Sequence, residues 1–195
     1  MKRLAAVAGV VVRAILARLG VLPLRRRRAP VVVLTGERGV GKTTLAAEVV
    51  ERLRATGVRV GGILAPGTVK EGRRHSFDLV ALATGERRLL ACRDPEPGWV
   101  EERCFWADPA AVELGHAALG AEDADVVVVD EVGPWELEGS GWSADLDVLV
   151  RRDVRLLLVV RHKCLRLVLA RWRLAAAVFE AGEGSAEEIA AVLAK

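Results

Sequence analysis

The chain has 195 residues, 52% of them hydrophobic and 28% charged, which is enough apolar content for one packed domain and too much for wholesale disorder. Aromatic residues make up 4% and tyrosine is absent, which speaks against a stacking platform for single-stranded nucleic acid. The net charge of +3 is unevenly spread: residues 1–36 hold eight basic residues and no acid, leaving 21 basic and 26 acidic residues for the rest, so nucleic acid is not the partner expected of the main domain.

The chain divides into a basic N-terminal extension, residues 1–29, and one domain, residues 30–195. In the extension Leu4, Val7, Val11, Ile15, Leu19 and Leu22 recur at helical steps, Pro23 stops the pattern, and Arg25 to Arg28 follow. The longest uncharged apolar run, Leu4 to Val12, is nine residues. A membrane-spanning helix needs ~20. Lys2 and Arg3 ahead of a short apolar stretch suit a secretory leader, yet no clear small-residue cleavage site follows. Two readings stay open: a poorly ordered extension, and a basic amphipathic helix by which residues 1–28 contact a membrane surface or a protein.

In the domain, the β-branched run at 30–35 predicts a buried strand, 42–56 a helix closed by Gly57, and 58–65 a second strand. Residues 67–82 read as a hairpin turning at Glu71-Gly72, and 92–98, with Pro95, Pro97 and Gly98, as a loop. Asp108-Pro109 opens a helix to about Leu119 as N-cap and first residue. Val126–Val129 is an apolar strand; 142–151 predicts a helix, 154–160 a strand and 164–173 a helix. A last helix, 185–194, opens with Ser185 and Glu188 in capping-box spacing. Strands alternating with helices predict an α/β fold with a mostly parallel sheet covered on both faces and an inserted β-hairpin.

Two strand ends carry the chemistry. Gly36-Glu37-Arg38-Gly39-Val40-Gly41-Lys42-Thr43 fits GxxxxGK[ST], follows an apolar strand and opens a helix. Such a loop, the Walker A motif, turns its backbone N–H groups and a helix N-terminus toward a phosphate chain. Lys42 would bridge the β- and γ-phosphates, and the Thr43 hydroxyl would ligate Mg²⁺. The second is Val126-Val-Val-Val-Asp130-Glu131, a strand ending in two acids. Asp130 would hold Mg²⁺ beside Thr43, and Glu131 would act as general base on the attacking water. Glu136 reads equally as a metal- or water-orienting acid and as a solvent-facing one. Lys70, Arg73 and Arg74 either reach the phosphates or solvate the hairpin. Arg161, Lys163 and Arg166 follow a strand, and one of them would serve as an arginine finger in cis.

In this order the motifs resemble the small nucleoside-triphosphatase family of thermophilic prokaryotes and humans, over about residues 31–180. The resemblance rests on Leu34–Leu45, Gly57-Val-Arg-Val-Gly-Gly62, Val69-Lys-Glu-Gly-Arg-Arg-His-Ser-Phe-Asp-Leu79 and Asp130-Glu-Val-Gly-Pro-Trp-Glu-Leu137. It implies a RecA-like three-layer α/β/α P-loop fold and slow, Mg²⁺-dependent hydrolysis of nucleoside triphosphates, ATP and GTP among them. By position Gly36 to Thr44 bind phosphates, Asp130 binds metal and Glu131 is the catalytic acid-base. Ser76 stands where the family has Gly, Trp135 where it has Met, and Glu180–Ser185 lacks the Asn-Arg pair usual after the last strand. Phosphoryl transfer to an acceptor other than water and a nucleotide-dependent switch docked through the arm are the alternatives.

Cys92, Cys104 and Cys164 form no CxxC pair, and His75, His116 and His162 form no HxH or HExxH cluster, so a disulfide framework and a cysteine-rich zinc site are not expected. A reducing, cytoplasmic setting is.

Overall fold

The computed structural model describes residues 27–94 and 96–195. The reading of residues 1–26 as an extension lies outside the described residues. Arg27 to Ala29 already belong to the domain's surface. The Arg27 guanidinium donates to the carbonyls of Val150 (2.7 Å), Leu149 (3.3 Å) and Val154, and the Arg28 and Ala29 amides donate to the Asp153 carboxylate.

The domain is built on one sheet of ten strands: β1 (Val31–Thr35), β2 (Val60–Leu64), β3 (Gly67–Lys70), β4 (Arg73–Ala81), β5 (Arg87–Cys92), β6 (Val100–Glu102), β7 (Phe105–Ala107), β8 (Val126–Val132), β9 (Arg155–Val160) and β10 (Ala177–Glu180). Their order is β10-β1-β9-β8-β2-β4-β5-β7-β6, with β3 paired to β4. The first five in that order run parallel and the rest antiparallel.

The parallel half is buried on both faces, as continuous Val and Leu runs dictate. Val32 and Leu34 of β1 face one core with α1 (Lys42–Ala55) and α6 (Ala186–Leu193). Val31 and Val33 face the other, with α2 (Pro109–Gly120), α4 (Ser143–Arg152) and α5 (Leu165–Arg171). This is the expected three-layer α/β/α arrangement. A short α3 (Pro134–Leu137) follows β8, and a 3₁₀ turn, His162–Cys164, follows β9.

The cap chemistry read from the sequence is present. The Asp108 side chain accepts from the Ala110 amide, and Ser185 and Glu188 cap α6 reciprocally. The hairpin turns at Glu71 and Gly72, both at positive φ. It is the first piece of a longer antiparallel run, since β5, β6 and β7 extend it. Gly62 has a packing reason: at φ +90° a Cβ there would lie 2.1 Å from the Val128 carbonyl oxygen on the neighbouring strand.

Candidate active site

β1 and β8 end at the same edge of the sheet with β9 between them. That edge, where parallel strands leave their carboxyl ends, is where open α/β sheets bind ligands. The chain leaves β1 through Gly36, Gly39 and Gly41, all at positive φ, before α1 starts at Lys42. The loop between β1 and α1 is therefore curled by glycines, and the helix axis points at the enclosed space. Lys42 is half-buried and its ammonium donates to the carbonyls of Gly36 (3.0 Å) and Glu37 (2.8 Å), a chord across the loop. Burial pulls its pKa down, while the nearby Glu131 and Asp130 carboxylates pull it back up. Glu37, Arg38, Gly39 and Val40 form the exposed rim, and Thr43 and Thr44 lie in the first turn of α1.

The two acids at the end of β8 have opposite environments. Asp130 is fully buried; one carboxylate oxygen accepts from the Ala65 amide (3.0 Å) and the other from the Glu131 amide (2.7 Å). Burial first, then the Glu131 charge, raises its pKa to about 6. Hydrogen bonds from the two amides and the Thr43 hydroxyl work the other way. Glu131 is half-exposed, with φ +59°, and the β8–β9 register shifts between Val129 and Val132. This bulge turns two consecutive side chains toward the site where a regular strand would send them to opposite faces. A left-handed non-glycine backbone is strained, and such strain concentrates at functional sites.

Of the three cations after β9, Arg161 is the one at the site. Its Nε and Nη2 donate to Glu131 Oε2 at 3.2 and 3.1 Å, and its charge is felt at Lys42. Lys163 and Arg166 are exposed and neither is paired to a site residue. Lys70, Arg73 and Arg74 gather instead around a separate pocket with Arg93, His75 and Asp94, so the hairpin cations do not reach the loop here. His75 and Asp94 of that pocket and the buried Cys92 beside it bring one ligand atom each within 4.8 Å of one another.

Glu136 corrects the reading of it as a solvent-facing acid. It is 3% exposed, and its carboxylate accepts from the Gly133 amide (2.8 Å) and the Trp142 amide (3.4 Å). It closes the β8–α3 corner and does not face solvent. Ser76, in the place of the family's Gly, is buried and pairs with the Thr68 hydroxyl at 2.6 Å across β3 and β4.

One feature carried no sequence signal. A cavity of about 590 Å³ opens beside Glu131, Arg161 and Arg38, with Phe77, Phe105, Trp135 and Trp142 among its walls. Short strands β5 to β7 form one side of it, and neither their lengths nor their composition announces them.

A glycine-curled loop with its lysine, and across one intervening strand a buried aspartate beside the threonine that follows that lysine, with a glutamate next to it, define a P-loop nucleotide hydrolase. The chain belongs to the NTPase family, whose sequence model matches residues 31–180. It is 32% identical over 143 residues to the nucleoside-triphosphatase THEP1 of Methanothermobacter thermautotrophicus, covering 72% of this chain and 81% of that one. The THEP1 of Methanocaldococcus jannaschii is 33% identical over 129 residues, 65% of this chain and 75% of the relative. Among solved structures, a human cancer-related nucleoside triphosphatase superposes with a TM-score of 0.56 at 32% identity, over 78% of this chain and 88% of that chain. THEP1 of Aquifex aeolicus gives 0.62 at 21% identity, over 85% and 99%, which is a likeness of fold.

Proposed function

We propose that this NTPase-family chain binds nucleoside triphosphates, ATP and GTP among them, in the Gly36–Thr44 loop and hydrolyses them to diphosphate and phosphate. The observation that carries the reading is the pair of acids: Asp130 buried against Thr43, and Glu131 turned by the β8 bulge toward Lys42.

Thr43 and Asp130 form an all-oxygen donor set that suits Mg²⁺, and a fully buried carboxylate with a raised pKa gains from a cation. Bound there, Mg²⁺ would neutralise charge on the β- and γ-phosphates. The chain's own groups do the rest. Glu131 takes a proton from the attacking water. Lys42 and the loop amides stabilise charge developing on the γ-phosphoryl oxygens and the leaving diphosphate. Arg161 orients the Glu131 carboxylate through one oxygen, leaving the other for the water, and places a further cation at the phosphate end.

The test is phosphate release with Mg²⁺ and ATP, GTP, CTP or UTP. Glu131→Gln is expected to keep nucleotide binding while release falls on the order of 10²-fold or more. Lys42→Ala is expected to weaken binding and turnover together, by on the order of 10²- to 10³-fold in turnover. Unchanged release in Glu131→Gln removes that residue from the role of base. We place the protein in the cytoplasm, a setting supported by free Cys92, Cys104 and Cys164. Contact of residues 1–28 with a membrane surface or protein is tested by vesicle co-sedimentation with and without that segment.

A further inference from the structure

Hydrolysis needs one water at the γ-phosphorus. A water occupies about 30 Å³ of liquid volume, whereas the space beside Glu131 is about 590 Å³. Its walls suit water poorly. Phe77 and Phe105 meet edge to face at 5.3 Å, and Trp135 and Trp142 complete an aromatic lining. Water is retained where several polar partners converge; Glu131, Arg161 and Arg38 converge at the phosphate end, and although Glu102, Arg103, Glu113 and His116 also reach the walls, most of the lining surface is apolar. Spaces of roughly 300–1,000 Å³ with apolar walls and a few convergent polar groups are where small organic molecules bind.

The nucleotide's own base is excluded as the occupant. Glu131 acts at the terminal phosphate, so the nucleoside half extends away from it. Sheet order agrees: the cavity strands β4, β5 and β7 lie beyond β8 and β2, while Ala181 after β10 packs on the opposite flank of the loop, against Gly36.

We propose that the cavity is a binding site for a second substrate, an alcohol with an apolar ring or chain as its body. Its hydroxyl sits at Glu131 and competes with water for the γ-phosphoryl group. The hydroxyl oxygen forms a bond to the γ-phosphorus. The bond from that phosphorus to the β–γ bridging oxygen breaks, and the nucleoside diphosphate leaves with its electron pair. The hydroxyl proton passes to the Glu131 carboxylate and from there to solvent. The inference rests on Glu131 being the base of hydrolysis, and adds that the same base serves a second acceptor.

The probe is 4-nitrobenzyl alcohol, whose ring fits the walls, whose nitro group quenches indole fluorescence and whose hydroxyl can be phosphorylated. Full-length protein is titrated with it in Mg²⁺ and ADP, following tryptophan emission. Separately, γ-labelled GTP is turned over with and without the alcohol. Saturable quenching is expected, together with labelled 4-nitrobenzyl phosphate formed at the expense of free phosphate. Ala107→Leu and Val112→Phe fill the cavity from β7 and from α2 and touch none of the phosphate-binding residues. Each is expected to weaken quenching by roughly tenfold or more and to abolish the ester, while phosphate release without alcohol persists. Absence of saturable quenching, quenching unchanged in both filled variants, or quenching without ester each overturns the proposal. Absence of phosphate release from wild type without alcohol is the separate signature that the hydrolytic reading itself has failed.

Discussion

The two halves of the sheet are held together by different forces. In the parallel half, Leu157 and Leu158 of β9 and Val128 and Val129 of β8 are wholly buried, with helices over both faces. In the antiparallel half, Val69 is 63% and Val100 54% exposed; β4 still reaches the main core through Leu79 and Ala81, but beyond it the apolar contacts shrink to a small cluster of Phe77, Ala91, Phe105 and Ala107. Ion pairs at the surface, such as Arg87–Asp78 and Arg103–Glu138, add to it. The division matches the work each half does. Phosphate chemistry needs donors fixed to a fraction of an ångström, so its loop and acids hang from the rigid strands. The looser half encloses the space beside them.

The largest way to break that comparison is to hollow the parallel core. Leu157→Ala is expected to destabilise by about 2–5 kcal/mol, and each kcal/mol lowers the melting temperature of a chain this size by roughly 2–4 °C. Val100→Ala, at the exposed far edge, is expected to change stability by less than about 0.5 kcal/mol. Thermal unfolding of both variants checks this; equal effects would erase the distinction between the halves.

Next comes pH. Burial raises the Asp130 pKa to about 6, so the fold favours its neutral form. That contribution to the free protein's stability is full below the ordinary carboxylate pKa of about 4 and is lost as pH rises through about 6. A cation at Thr43 and Asp130 needs the charged form and therefore competes with the proton. The gain in ADP affinity on adding Mg²⁺ is expected to be flat from pH 8 to 7. Below pH 6 it should shrink by up to about tenfold per unit. Asp130→Asn supplies the baseline, because protonation of the nucleotide itself is common to both proteins. A gain that does not change between pH 8 and 5 would separate Asp130 from the metal.

The parallel half was readable for physical reasons that the other half lacks. Val31 to Leu34 and Val126–Val129 are continuous apolar runs because both faces are covered. The phosphate loop is written in glycines whose backbone no other residue adopts comfortably, as the positive φ of Gly39 and Gly41 shows. Strands β6 and β7 are three residues each, too short for alternation to register. The Arg161–Glu131 pair spans 30 residues and two strands, so spacing could not single out Arg161 from Lys163 and Arg166. Glu136 was ambiguous because its partners are backbone amides, Gly133 and Trp142, which any sequence offers. The cavity depends on how β4, β5 and β7 stand against α2, which is a property of packing alone.

A smaller effect tests where the rigid half begins. Arg27 is buried, 6% exposed at its side chain, and donates to carbonyls at the C-terminal end of α4, where a cation is favoured by the helix dipole. Arg27→Ala is expected to destabilise by about 1–2 kcal/mol, read from the denaturation midpoint. Arg28→Ala, whose contact is through its backbone amide, should leave stability nearly unchanged. Equal effects from the two would mean that charge in the run, rather than the docking of one guanidinium, matters to the domain.

The smallest effect concerns the surface ion pair that joins β4 to β5. Arg87 donates to Asp78 Oδ2 through Nη2 at 2.5 Å and through Nε at 3.0 Å, with the arginine 61% and the aspartate 19% exposed. Solvent screens such a pair, so a double-mutant cycle with Arg87→Ala and Asp78→Ala is expected to give a coupling of about 0.2–1 kcal/mol. Molar salt should shrink it, since the Debye length then falls to about 3 Å. A coupling that survives molar salt would show a desolvated pair, and the antiparallel half would then be held by buried charge rather than by a screened surface contact.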